Sequence, residues 1–499
     1  MESFIAQVPG PVVWSLAALA LYAISIIIYN LYFHPLRHYP GPLLYRASRF
    51  PRALRILNGK WPRELVDLSE KYGPVVRVAP GMLVYTNAEA WKDIFGHQNG
   101  AVVKGEEFEK DAYFYRARNV PPNILSESRE NHSLIRRQLS HGFSDKSLRA
   151  QESIIKGYVD LFIQRIKERC VPRDAGEDDD GSTTTTTTTA FDMRHWFNYA
   201  TFDIIGDLAF GEPFGCLEKG ELDPRVAFME QGLATASKTY FVKELGLERF
   251  LKLVAMRSAK FRQALVDSMA QILQRRMSLT AERPDLIEGL LKKKDDWTTA
   301  TLLTGATFLL LKNPETLQKL QDEIRGAFKS EDQITFSSVE NLPYMLAVFK
   351  EALRFYPPVT GEMPRIVPKG GATVAGQFVP EGTTVATAQY AMNHTSRNFT
   401  DSFAFKPERF LQVSNTPALA EKKKSYPGDN FDVLQPFSTG PRNCVGKNLA
   451  NAEMRTIMAR LVWNFDMELV DPEDNWMDQK AFFLWIKPPL NVNLTPVQR

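Results

Sequence analysis

Residues 437–450, FSTGPRNCVGKNLA, set one cysteine, Cys444, between an arginine two positions earlier and a glycine two positions later. Beyond it Ala450, Met454, Ile457, Met458, Leu461 and Phe465 recur at helical spacing, which predicts a helix with one buried stripe. Cys444 then lies at the entrance of that helix. The positive end of the macrodipole and the free backbone N–H groups there favour a thiolate over a thiol. Gly440 and Gly446 remove side chains, so a flat ligand has room to approach the backbone. Arg442 adds a fixed positive charge suited to a carboxylate. A soft sulfur anion, space for a planar ring and a cation for its acidic substituent together fit an iron porphyrin. Cys170 and Cys216 lack such surroundings and read as small core hydrophobes.

The site needs elements to position it. YMLAVFKEALRFY, residues 344–356, predicts a helix ended by Pro357-Pro358, with Glu351 and Arg354 on one face. A second helix is expected over 151–170, with Ile154, Ile155, Val159, Phe162, Ile163 and Ile166 at helical spacing. VVRVAPGMLVYT, residues 75–86, reads as two strands around Pro80-Gly81, and residues 366–388 as short Val/Thr strands with glycine turns. Residues 215–330 are helical and leucine-rich. DAGEDDDGSTTTTTTTA, residues 174–190, cannot bury enough apolar surface to order itself and is expected to be a solvated loop. No linker divides residues 34–499, so one large, mainly α domain with small β-sheets is the simplest architecture.

The 499 residues are 44% hydrophobic with a net charge of +3, too little to make a nucleic-acid footprint. Three cysteines, an odd and sparse set, argue against a disulfide scaffold and for a reducing compartment. With no CxxC pair, a structural zinc site is not expected. Residues 11–33 are almost uncharged and long enough, as a helix, to cross a bilayer core of about 30 Å. Residues 1–10 carry no Lys or Arg, whereas Arg37, Arg46, Arg49, Arg52 and Arg55 follow the span. The positive-inside rule then places the tip in the lumen and the body in the cytosol. Sequons at Asn131, Asn393, Asn398 and Asn493 should stay bare in that orientation.

FSTGPRNCVG fits the haem-binding loop F-x-x-G-x-R-x-C-x-G of the cytochrome P-450 superfamily at Phe437, Gly440, Arg442, Cys444 and Gly446. The chain resembles a haem-thiolate monooxygenase of that fold. The resemblance implies that Cys444 is the axial ligand of the haem iron, with Phe437 packed beside it. A thiolate pushes electron density onto iron and favours O–O cleavage. It also implies a buried triad of Glu351, Arg354 and Arg409, the last from FKPERF at 405–410, which braces the haem-side core. His132, Arg136 and Arg365 resemble haem-propionate contacts, with solvated helix charges as their alternative. In detail the chain is similar to fungal microsomal enzymes that hydroxylate secondary metabolites, of the isotrichodermin or averantin hydroxylase kind.

One part of the family's pattern is incomplete. Oxygen activation there uses a long central helix carrying A/G-G-x-D/E-T-T/S, whose acid and alcohol relay protons. Residues 292–315, KKKDDWTTATLLTGATFLLLKNPE, resemble only its second half. Setting Thr298 on the family's threonine makes it the catalytic alcohol but puts Trp297 at the acid position. Extending the helix backwards would carry Lys292, Lys293, Lys294, Asp295 and Asp296 towards the haem, at several kcal/mol for each unpaired buried charge. Several turns are therefore expected to be missing before residue 298, as after a skipped exon or an imperfect gene model. Asp296 replaces the acid only if the backbone shifts by one residue.

The resemblance implies insertion of one atom of O2 into a hydrophobic small molecule at the endoplasmic reticulum membrane. No Gly-rich dinucleotide motif follows a strand, so electrons would come from NADPH through a separate cytochrome P-450 reductase. The alternatives are a haem-binding chain that cannot relay protons, and an O2-independent isomerase or dehydratase. Lys422, Lys423 and Lys424 would either dock the reductase or simply be solvated. Residues 113–119 and 226–256 are expected to border the substrate.

Overall fold

The computed structural model describes residues 10–96, 107–115, 123–170, 189–227, 239–244, 246–247, 297–411 and 426–498. Helix α1 (Gly10–Ile28) runs into a π-helical turn at Tyr29–Phe33. Among the described residues, Pro11–Phe33 is the one helix long and apolar enough to cross a membrane, and Trp14, Leu16, Leu19, Leu21 and Tyr22 on it are exposed. Asn30 is buried at its end and donates Nδ2–H to Ala47 O at 2.9 Å, tying the span to the body. Residues 39–42, YPGP, lead from the span into the body and contact the first strand. Pro40 O accepts from Arg77 N at 2.7 Å, and a Cβ on Gly41 would stand 2.3 Å from Arg77 O, so only glycine fits there.

Of the five arginines after the span, Arg52 does not face outward. It sits in α2 (Phe50–Leu57), buried, with Nη1 3.3 Å from Glu244 and Nη2 3.3 Å from Glu362. Its charge serves this internal network, so the excess of positive charge just after the span rests on Arg37, Arg46, Arg49 and Arg55. The expected hairpin is present: β1 (Val75–Ala79) pairs antiparallel with β2 (Met82–Tyr85), Val76 opposite Val84. They open a five-stranded sheet of order β1-β2-β8-β5-β3, where β3 is Glu109–Lys110, β5 Arg365–Ile366 and β8 Thr384–Thr387. A separate hairpin joins β6 (Ala372–Val374) and β7 (Gln377–Val379). β4 (Ala190–Asp192), β9 (Phe465–Leu469) and β12 (Asn491–Pro496) form a third sheet, and β10 (Lys480–Ala481) pairs with β11 (Trp485–Ile486). The acidic and threonine tract expected as a loop lies outside the described residues up to 188, while its last residue, Ala190, pairs with Asn493 in a strand.

The helical body is built from α3 (Trp61–Tyr72), α4 (Glu89–Phe95), α5 (Arg129–Gly142), α6 (Asp145–Cys170), α7 (Met193–Phe210), α8 (Trp297–Leu311), α9 (Pro314–Ala327), α10 (Pro343–Phe355), α11 (Gln389–His394) and α12 (Lys447–Asn464). In α6 the expected face is buried, except that Ile154 is half-buried. The helix after Cys444 differs from the expected single stripe. From Thr456 to Asn464 every residue of α12 is buried, because α6, α8 and α9 enclose it, and Phe465 already begins β9. Helix α8 is likewise buried from Thr299 to Leu310 and packs against α7, α10 and α12. Two of its threonines return their hydroxyls to the helix itself, Thr304 to Ala300 O at 2.6 Å and Thr307 to Leu303 O at 2.8 Å, while Thr301 accepts from Lys487 Nζ at 3.0 Å.

Close packing fixes α8 against α10. A Cβ on Gly305 would stand 2.2 Å from Cδ1 of Tyr356, whose ring is stacked on Trp485 at 4.6 Å and whose hydroxyl donates to Gln479. Tyr356 has nowhere to go. Gly305→Ala is expected to cost about 1–3 kcal/mol through overpacking, read as a lower urea midpoint with an unchanged slope.

Candidate haem site

The loop before α12 is a built turn. Gly440–Arg442 is a 3-10 turn closed by Asn443 N–H donating to Gly440 O at 3.1 Å. Cys444 N–H donates to Phe437 O at 2.8 Å, so the backbone of half-buried Phe437 fixes the cysteine directly. Gly440 has φ +74°, and a Cβ there would meet Phe95 O at 1.8 Å. The glycine is therefore required by the end of α4, a reason different from the ligand clearance expected of it. Gly446, at φ −85°, is the residue before α12, and Ala450 N–H donates to its carbonyl at 2.9 Å. Cys444 is half-buried and lines a cavity of about 300 Å3 with Arg136, Phe143, Asn443, Val445 and Lys447.

The other two cysteines are poor anions. Burial pushes the Cys170 thiol up to about 11 and the Cys216 thiol up to about 12. Neither ionises at neutral pH. Cys444, by contrast, is half-buried at the entrance of α12 with the Arg136 guanidinium lining the same cavity.

A group of cations converges next to this loop. The β3–β5 pairing sets Lys110 opposite Arg365, and Arg365 and Arg442 each have side chains only 5% exposed. Arg442 donates Nε–H to Glu107 Oε1 at 2.7 Å and Nη1–H to Glu127 O at 3.1 Å. Arg365 donates Nη1–H to Phe108 O at 3.4 Å, while its Nε is buried without a partner among the described residues. His132 is buried within this field. Desolvation first, then the charges of Arg442, Lys110, Arg136 and Arg365, push it down to about 4. It is a neutral hydrogen-bonding ring at pH 7. Arg136 is turned the other way, onto the cysteine loop, where its guanidinium donates to the backbone and side-chain oxygens of Asn443. An orphaned buried Arg365 Nε, surplus positive charge and a nearby thiol are the donor set that a flat, doubly carboxylated iron ligand needs, so the residues fit haem.

Glu351, Arg354 and Arg409 meet inside the core with side chains fully buried. Arg354 grips Glu351 with two bonds, Nε to Oε2 at 2.7 Å and Nη2 to Oε1 at 2.8 Å. Arg409 reaches Glu351 Oε1 at 3.3 Å and also pairs with Asp429. Lys406 N–H completes the cage on Glu351 at 2.8 Å.

Residues 50–297 and 296–494 match the family model described as cytochrome P-450. The chain belongs to the cytochrome P-450 family. It is 42% identical to cytochrome P-450 monooxygenase tpeC of Talaromyces stipitatus, over 97% of this chain and 94% of that protein. It is 38% identical to prhB of Penicillium brasilianum, covering 96% and 97%, and 38% identical to astA of Talaromyces wortmannii, covering 96% of each. Both are named cytochrome P-450 monooxygenases. P-450 proteins are oxidoreductases that hold haem through a cysteine thiolate, and this chain is one of them. The match to the P-450 model comes as two segments that meet at 296–297, where the described part of the central helix α8 begins.

Thr298 lies in the first turn of α8 and is half-buried. Asp296, the lysines and acids before it, residues 248–296, and Lys422, Lys423 and Lys424 lie outside the described residues. Of the expected substrate border, Tyr113–Tyr115 are described, and Phe114 packs edge-on against Tyr240 at 5.4 Å and Phe483 at 5.7 Å. Two of the four sequons cannot report orientation. Asn393 donates to Arg354 O and Asn398 to Thr86 O, each at 2.8 Å, with both side chains buried. They are core amides, unavailable to glycosylation on either side of a membrane. Sequence reasoning missed Glu107, Asn443 and Asp429; only Asn443, within the cysteine loop, carried a local signal.

Removing one partner from a buried ion cluster strands the others. Glu351→Ala is expected to cost about 3–5 kcal/mol, seen as a collapse of the thermal midpoint together with haem retention. His132 titrates near 6.5 unfolded and near 4 folded, so the unfolded chain binds more protons between those values. Stability is thus unaffected by His132 above pH 6.5 and falls as the pH drops towards 4. His132→Phe should flatten that stretch of the stability–pH curve for haem-free protein, measured by urea unfolding at pH 7.5 and 5.5.

Proposed function

We propose that this P-450 is a membrane-anchored monooxygenase that inserts one atom of O2 into a hydrophobic small molecule of secondary metabolism. Electrons come from NADPH through a separate P-450 reductase, and the body faces the cytosol at the endoplasmic reticulum. The observation that carries the reading is the cysteine loop, in which Cys444 is held at the entrance of α12 next to a cationic cluster. Bound haem supplies the oxygen chemistry. The chain's own residues do the rest. Cys444 is the ligand, which its helix entrance and Arg136 keep as the anion. Arg442, Arg365 and neutral His132 hold the propionates, while Arg136 braces the cysteine loop through Asn443. Thr298 is the group that holds and passes a proton. Phe114, Tyr240 and Phe483 close an apolar border that admits a hydrophobic substrate and keeps water out.

A second reading is favoured by one observation, the break in the family match at 296–297. The chain then binds haem but lacks the turns that carry the acid of the proton relay. In that case a longer transcript across residues 285–300 restores the relay.

The test uses full-length protein in detergent. Reduction with dithionite under carbon monoxide should give the red-shifted Soret band of a thiolate complex, and Cys444→Ser should abolish it. An unchanged band in that variant sinks the proposal. With reductase and candidate substrates, NADPH and O2 consumption coupled to product supports the monooxygenase. Haem binding with O2 uptake uncoupled from product supports the impaired chain, and the longer transcript should recouple it.

A further inference from the structure

We propose that Glu107 is a positioning residue for the haem propionates, an extension that rests on the haem-site reading above. It enters the fold just before β3, whose pairing with β5 brings it beside Arg365. Its Oε1 accepts from Arg442 Nε at 2.7 Å and stands 3.9 Å from Arg365 Nη1, while Oε2 is 3.8 Å from Arg129 Nε. One carboxylate thus joins the arginine of the cysteine loop to the arginine of β5.

Two guanidinium groups at close quarters repel each other, and each has several rotamers that would separate them. A carboxylate between them removes that repulsion and fixes both forks. The way it does so matters for the ligand. Glu107 takes the Nε edge of Arg442 and Glu127 O takes Nη1, which leaves Nη2 as the donor to offer. On Arg365 it approaches Nη1 and leaves the buried Nε still unpartnered. Among the described residues the single negative charge of Glu107 does not balance Arg442, Arg365 and Lys110, so two further carboxylates remain welcome. Glu107 acts through the arginines and need not touch the ligand.

Full-length wild type, Glu107→Gln, Glu107→Ala and Glu107→Asp are loaded with haem, and its loss to excess apomyoglobin is timed. Outer-shell partners typically matter by about 10–100-fold, so Gln and Ala should lose haem about 10-fold faster, with Asp restoring most of the retention. Removing a negative charge near the iron favours the reduced state, so dye-coupled titration should give a higher midpoint potential for Gln and Ala. A merely structural carboxylate would lower the unfolding midpoint of haem-stripped protein without moving the potential, and that result overturns the proposal. Slower haem loss in Glu107→Gln also overturns it, because Glu107 would then be competing with the propionates. If wild type itself retains no haem, the haem-site reading has failed. Wild type that holds haem, with variants indistinguishable from it, sinks only the role of Glu107.

Discussion

A carboxylate with no access to water governs this architecture. Glu351, in α10, is fully buried and receives Arg354, Arg409 and the Lys406 backbone amide. Taking such a charge out of water costs several kcal/mol unless every lone pair is matched. Matching it draws in distant chain segments. Arg354 spends its remaining donors on the carbonyls of Asn393, Ser402 and Ala404, and Arg409 on Thr400 O and Asp429. Helix α10, the end of α11, residues 400–409 and Asp429 are thereby held together, a few residues before the cysteine loop. The sulfur's position is inherited from a cluster that never touches it.

The cationic group beside the loop has the opposite character. Arg442, Arg365 and Lys110 are gathered by strand pairing and loop packing with too little negative charge among the described residues to balance them. Burial first, and this field second, keep His132 neutral far below its ordinary range. A fold tolerates such a surplus where a ligand brings the missing charge, and this P-450's ligand carries two carboxylates.

The central helix shows how composition limits a fold. From Thr299 to Leu310 it is buried, and its side chains are apolar apart from threonines, of which Thr304 and Thr307 bond back to the helix and Thr301 accepts from Lys487. Nothing in KKKDD could continue that environment without unpaired charge in the core. The family match breaks at the same point.

Local pattern made much of this legible. The cysteine loop, the Pro80-Gly81 hairpin, the helix ending at Pro357-Pro358 and the Glu351–Arg354 pair all follow from spacing within a few residues. Other features were invisible for a common reason. Arg52 reads as a membrane-side charge until Glu244 and Glu362 surround it, and Asn393 and Asn398 read as sequons until the core closes over them. α12 reads as one-sided until three helices enclose it.

The sequence by itself determined which residue could hold iron and which elements would carry it, because backbone propensity and helical spacing act over a few residues. Only the tertiary structure decided which charges are buried, which amides are spent and which carboxylate faces Arg442. Glu107 and Arg442 lie far apart along the chain, and their Coulombic interaction becomes strong only after folding has removed the water between them.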